Sequence, residues 1–231
     1  MNNSDDFCVK EFRNKEKRII FFGSIHSRSI KQINSIKEVI FKLNPDIILV
    51  EGNYHLANFK SKEESIEKGC ETGYVSFLAK DKKIDLESND PSFSEDISFV
   101  EKKQGKEICF AYFFLRNKNP NFSEERILKN IKENSLWKDF DYSINNIKKI
   151  VKDLLHEDYK ADKDYSNYFN PTIKITLFND ITFELSKFRD DFMLKKIKEI
   201  LINHNKIFII KGVYHLNENE NKIRKLLENV K

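Results

Sequence analysis

Glycine and proline are scarce in this chain: 6 and 4 of 231 residues. That scarcity argues against flexible linkers, low-complexity tracts and turn-rich β-architectures, and favours long regular elements. The 3 cysteines, Cys8, Cys70 and Cys109, form no close pair and no metal-type spacing. A disulfide framework is thereby disfavoured and a reducing compartment expected. No window approaches the roughly 18 uninterrupted apolar residues of a membrane span. The opening Met1–Asp6 is polar and acidic and lacks the apolar core of an ordinary signal peptide. A cytoplasmic protein with no membrane partner is therefore expected. There is also no block of one charge sign. The 41 basic and 37 acidic residues are interspersed, for a net charge of +4, so nucleic acid is not an expected partner.

What is abundant is apolar and aromatic. With 39% hydrophobic residues, 20 Phe and 8 Tyr, the length suits one substantial core and one domain over 1–231. Arg18–Gly23 reads as a buried strand. A helix follows with Ile30, Ile33, Ile36, Ile40 and Leu43 on one face, capped by Ser27 or Ser29 and ended at Asn44-Pro45. Asp46–Val50 is a second strand, completing a strand–helix–strand unit of parallel type. Ser61–Lys80 reads as helix and Ile84–Glu87 as a third short strand. Helices are expected at Glu107–Leu115, after the Pro120–Ser123 turn, and at Ile144–Leu155. Glu157–Pro171 reads as loop and Thr172–Phe178 as an edge strand or extended arm. A long helix at Glu184–His204 precedes a last strand at Ile207 and a final helix from about Glu218. The expected fold is α/β: a central, mostly parallel sheet flanked by helices, with a helical insertion or cap over about 117–171.

Two strand ends match although they lie far apart in sequence. Arg18–Phe22 breaks at Gly23-Ser24-Ile25-His26, and Ile207–Ile210 breaks after Lys211 at Gly212-Val213-Tyr214-His215. Functional groups collect at the carboxyl ends of strands in open α/β sheets, so His26 and His215 are expected in one site. Imidazole serves there as metal ligand or general base. Glu51 directly follows a buried strand, where a carboxylate must be paired, ligating or solvated. Glu87 repeats that arrangement, and Asp90 shares the role or starts a turn before Pro91. Arg189 falls within the apolar stripe Leu185, Phe188, Phe192, Met193, Ile197 and Ile200, so its guanidinium needs acceptors on the core side or an anionic transition state. Lys196, also near the stripe, reads as snorkelling to solvent. Glu71, taken alone, reads as a surface acid on the helix of Cys70 and Tyr74. His55 either lines the mouth beside Glu51 or sits in a loop.

Five islands occur in one order: Gly23-Ser24-Ile25-His26, Ile48-Leu49-Val50-Glu51-Gly52, Glu71, Arg189-Asp190-Asp191-Phe192-Met193 and Gly212-Val213-Tyr214-His215. That order resembles the TraB/TIKI-like group, which is similar to ChaN-like and erythromycin-esterase-like proteins. The third strand departs from it, ending in Glu87-Ser88-Asn89-Asp90 where TraB-like relatives usually show Asp-Arg. The resemblance implies an α/β fold with these residues around one cleft, and a metal-dependent hydrolase of peptide or ester bonds. In that reading His26, His215 and Glu51 hold a divalent ion, Glu71 serves as base or supports the ligands, and Arg189 stabilises the oxyanion. Glu87, Asp90, Tyr214 and His55 are the candidate substrate contacts. The partner is a small-molecule or peptide substrate, with a homo-oligomer also compatible. Two other readings stay open: a metal-free esterase-like hydrolase, and a non-catalytic ligand-binding or regulatory protein.

Overall fold

The computed structural model describes residues 7–118 and 122–229. Met1–Asp6 and Pro120, on which two sequence readings rest, lie outside them. The chain divides into two compact units, 1–91 with 189–231, and 92–188.

The first unit carries a five-stranded sheet. Its strands are β1 (Cys8–Arg13), β2 (Arg18–Ser24), β3 (Ile47–Val50), β4 (Asp85–Ser88) and β5 (Lys206–Gly212), in the order β1-β2-β5-β3-β4. Every neighbouring pair is parallel except β1 with β2. This is the expected α/β class. β2, β3 and β5 are buried on both faces, which is why they read as continuous apolar runs without alternation. One face receives α1 (Ile30–Leu43) and α2 (Lys62–Asp81): Ile33, Ile36, Ile40, Val75 and Leu78 pack on Phe22, Ile48, Val50, Phe208 and Ile210. The other face packs Phe21, Leu49, Ile207 and Ile209 against Met193, Ile197, Leu216, Ile223 and Leu227. Those side chains come from the second half of α7 (Leu177–Ile200) and from α8 (Val213–Glu228).

Several differences from the sequence reading have physical causes. β1 is absent from that reading because its burial pattern alternates weakly and only Phe12 reaches the core. Thr172–Phe178 is not a strand. The amides of Ile173 and Lys174 turn back onto the Asn170 carbonyl, and Leu177 already begins α7. α8 starts at Val213, directly after β5, so His215 sits in its first turn.

The second unit is helical and built around its own aromatic core. It contains α3 (Phe93–Gln104), α4 (Lys106–Asn117), α5 (Glu124–Asn134), α6 (Ile144–Leu155) and the first half of α7. The insertion expected at about 117–171 is wider because α3 and α4 belong to the same core. Ile97, Val100 and Cys109–Leu115 pack with Ile131, Ile147, Val151, Phe178 and Leu185. Glu107–Leu115 is thus a buried helix, and burial raises the Cys109 thiol pKa well above its ordinary range. Among the described residues no helix is long and apolar enough to cross a membrane.

Two of the six glycines lie within α2, four residues apart, where they ordinarily cost helix stability. Each makes room for a neighbour. A Cβ on Gly69 would come 2.7 Å from Cε1 of Tyr54, and one on Gly73 would collide with the Ser65 backbone carbonyl. An aromatic ring yields more readily than a main-chain carbonyl. Gly73→Ala is therefore expected to lower stability by about 1–3 kcal/mol, and Gly69→Ala by less. Urea unfolding of the two variants measures the difference.

Candidate functional site

The site lies at the carboxyl ends of β2, β5 and β3. Parallel pairing sets Gly23 opposite Lys211 and Ser24 opposite Gly212. The two Gly-x-x-His segments therefore leave the sheet side by side. A Cβ on Gly212 would stand 3.2 Å from His26 Nε2 and 3.7 Å from His215 Cδ2, so the two imidazoles meet across a residue with no side chain.

Each imidazole is held by a carboxylate. His26 Nδ1 lies 3.0 Å from Glu71 Oε1, and His215 Nδ1 lies 2.6 Å from Asp190 Oδ1. His26 takes a left-handed backbone conformation, φ 49°, and its side chain keeps 57% of its exposure, whereas that of His215 keeps 15%. The hydrogen bond to Glu71 raises the His26 pKa above its ordinary 6.5. Burial opposes this, and the charges of Glu51, Glu71 and Asp90 reinforce it.

Glu71 is fully buried, and its Oε2 has no partner among the described residues. This corrects the reading of Glu71 as a surface acid. α2 is broken one residue earlier, at Cys70 (φ 49°, ψ −139°), a backbone region that L side chains rarely adopt. Such strain costs about 1–3 kcal/mol and persists only where surrounding structure imposes it.

Glu51 follows β3 and accepts the Gly212 amide at 2.8 Å through Oε2. The same oxygen stands 3.6 Å from His26 Nε2. That is too long for a direct hydrogen bond. The end of β4 ties this rim together. The Asn89 amide donates to the Val50 carbonyl at 2.9 Å, and its Nδ2 donates to the Ile210 carbonyl at 3.1 Å. Asp90 Oδ2 accepts the Gly52 amide at 3.0 Å, while Asp90 Oδ1 accepts from the Lys211 ammonium. Lys211 is fully buried within β5. Desolvation pushes the Asp90 carboxyl up, but Lys211, Arg189 and the Gly52 amide together hold it below the ordinary aspartate range. Arg189 is thus near enough to Asp90 for its charge to act there.

His26, Glu51, Glu71 and His215 therefore converge, and Arg189 acts on the same buried network through Asp90. Asp90 is engaged within the rim and not presented to a substrate. Glu87 pairs at 2.9 Å with Lys196, the cation read as snorkelling. Tyr214 sets its ring edge-on to His215, with centroids 5.9 Å apart. His55 lies in a 3₁₀ turn, Gly52–Leu56, with Nδ1 buried and unpartnered among the described residues. Asp190 and Lys211 were not singled out in the sequence. Asp190 directly follows Arg189 in the Arg189–Met193 island. Lys211 is a charge inside an otherwise apolar strand, which is the signal that finds it.

A divalent ion requires several side-chain donors directed at one point. Among the described residues no group of three or more His, Cys, Asp or Glu side chains is so arranged. As placed, the residues do not form a cation cage, and no step below runs through a metal. No protein-family model, curated protein or solved structure matches the chain.

Two measurements probe the site. Lys211→Met leaves Asp90 buried and unpaired and is expected to cost about 3–5 kcal/mol in urea unfolding, with much of the loss recovered in Lys211→Met/Asp90→Asn. Glu71→Gln removes the main cause of the raised His26 pKa, so an NMR titration of His26 should move down toward 6.5. Because the folded pKa is raised, the pair's contribution to stability is full below the ordinary imidazole pKa. It is lost as pH rises through the folded value. The neutral imidazole needed for base catalysis gains population over that same rise.

Proposed function

We propose that this protein hydrolyses ester or peptide bonds by general acid–base catalysis, with two carboxylate-held imidazoles acting on either side of Gly212. The observation that carries this reading is the pairing of His26 Nδ1 with Glu71 and of His215 Nδ1 with Asp190. Each contact fixes the ring through Nδ1, and His26 Nε2 stands at the strand-end rim beside Gly212 and Glu51. A carboxylate behind an imidazole orients it and stabilises the imidazolium that forms during proton transfer.

In this mechanism His26, the more exposed ring, acts as base. A water hydrogen-bonded to His26 Nε2 loses a proton to it as its oxygen attacks the carbonyl carbon. Glu71 stabilises the resulting imidazolium. Negative charge gathers on the carbonyl oxygen, and the positive charge of Arg189, which also acts on Asp90, is assigned to oppose it. His215, entering the cycle as an imidazolium backed by Asp190, donates its Nε2 proton to the departing alkoxide or amine as the tetrahedral species collapses, and the proton taken up by His26 passes through solvent to His215, which restores both rings. The products are the carboxylic acid and the alcohol or amine. The ordered islands that resemble the TraB/TIKI-like group support hydrolysis as the reaction class.

The test is turnover by the purified full chain of p-nitrophenyl ester and fluorogenic peptide panels. His26→Ala and His215→Ala are each expected to lower kcat/KM by about 10²–10⁴-fold, with far-UV circular dichroism unchanged. Turnover should survive exhaustive dialysis against a chelator. Loss on dialysis with recovery on adding one divalent ion replaces this mechanism with the metal-dependent one. Absence of turnover across both panels favours the non-catalytic reading.

A further inference from the structure

The segment Thr172–Phe178 alternates polar and apolar side chains, yet it pairs with no strand among the described residues. Its outer apolar groups therefore stay in water: Ile175 keeps 91% of its exposure and Leu177 39%. Hydrogen bonds fix the segment all the same. Thr176 Oγ1 donates to the Tyr168 carbonyl at 2.5 Å, and Asn179 Nδ2 donates to that carbonyl at 3.1 Å. The end of α6 comes to the same place and turns away at His156, which takes the left-handed conformation, φ 57°. The two segments enclose a cavity of about 250 Å³ within the helical unit. Leu154, Leu155, Ile175 and Leu177 line it together with the buried Tyr168 and Phe178. The rest of the lining is His156, Lys174 and Thr176.

The charges around this cavity are unequally matched. Lys174 sets its ammonium 3.9 Å from the centre of the Tyr168 ring, so the charge stands at the lining itself. Among the described residues Lys174 has no ion-pair partner, and the His156 ring has no hydrogen-bond partner. The neighbouring carboxylates are engaged or outside the lining. The charge of Lys174 reaches Glu157, but Glu157 already accepts from Lys163 and from the Tyr168 hydroxyl, each at 2.6 Å. Asp158 pairs with Lys152 at 3.2 Å. Asp153 is exposed and does not line the cavity. Asp180, exposed in the first turn of α7, lies at the positive end of that helix's dipole and offsets it, so the helix end adds little. The lining thus holds one ammonium and no carboxylate.

An apolar wall with an unpaired ammonium at its edge complements a molecule built the opposite way. Covering Ile175 and Leu177 removes apolar area from water. A carboxylate meeting Lys174 makes a charge-assisted hydrogen bond, stronger than one between neutral groups. A ligand ending in an ammonium meets like charge instead. The volume is smaller than the roughly 300–1,000 Å³ of pockets for drug-sized ligands, which restricts the body to a short chain or one ring.

We propose that this cavity binds small monocarboxylates with an apolar body of about five to eight carbons, the carboxylate on Lys174 and the body against Leu154, Leu155, Ile175 and Leu177. The proposal concerns the helical unit alone and does not depend on the hydrolase reading.

The experiment titrates sodium hexanoate, sodium acetate, hexanamide and hexylamine into the ¹⁵N-labelled full chain and follows the backbone amide shifts. Hexanoate is expected to shift residues 154–156 and 174–178 in a saturable way. It should bind at least fivefold more tightly than hexanamide and at least tenfold more tightly than acetate, with no saturable shift from hexylamine. Lys174→Met is expected to abolish the preference for hexanoate over hexanamide, and Lys174→Arg to keep it. Ile175→Ser should weaken both ligands at least twofold and by similar factors. Hexanoate shifts that are absent or scattered over the surface overturn the proposal, as does equal affinity for hexanoate and hexanamide. A preference for hexanoate that survives in Lys174→Met overturns it as well. The first two outcomes are read on the wild-type chain, so a variant that fails to fold leaves the decision intact.

Discussion

The parallel, in-register pairing of β2 with β5 is the constraint on which the site depends. It places Ser24 against Gly212, so two segments nearly two hundred residues apart in sequence leave the sheet at the same level. A slip of one residue would turn the side chains of the slipped strand to the opposite faces. Burial on both faces and the chain crossovers make that register costly to change. Insertion of β5 between β2 and β3 then sets Glu51 beside the same rim, where the Gly212 amide receives its carboxylate.

Around that rim local preference is repeatedly overridden. A lysine lies fully buried in a strand, a glutamate is buried with one oxygen unpartnered among the described residues, and Cys70 breaks its helix in a rare conformation. Two glycines occupy a helix interior so that Tyr54 and the Ser65 carbonyl can approach. Rule-breaking of this kind gathers where a protein holds chemistry. The carboxylates are compensated unequally. Asp90 is matched by Lys211 and Arg189, and its charge serves to tie β3, β4 and β5 together. Glu71 faces the imidazole of His26 and Asp190 that of His215, rings whose protonation can change during a reaction. That difference separates the groups that hold the rim from those that can move protons across it.

Much of the fold was legible because its signals are local. β2, β3 and β5 are apolar runs of strand length, and α1 and α6 carry one apolar face each with a serine cap. β1 was hidden because a single core residue, Phe12, gives almost no pattern. Thr172–Phe178 misled because β-branched alternation marks a strand only where a partner strand exists, and Asn170 captures its amides instead. His26, His215 and Glu51 were legible from their place after buried strands. Asp190 was not, since an acid on a helix looks alike whether solvated or buried, and Lys211 was marked only as a charge in an apolar strand, which does not name its partner.

The sequence by itself determined the class of the fold, the strands that form its centre and the strand-end positions where two histidines and a glutamate emerge. These follow from hydrophobic periodicity and from the turns allowed by a few glycines, which act over short stretches of chain. Only the tertiary structure decided which strand lies between which, that Glu71 is buried behind His26, that Asp190 backs His215, and that Lys211 meets Asp90. Those outcomes depend on pairings across more than twenty to nearly two hundred residues, selected by burial of both sheet faces and by the cost of leaving a buried charge alone.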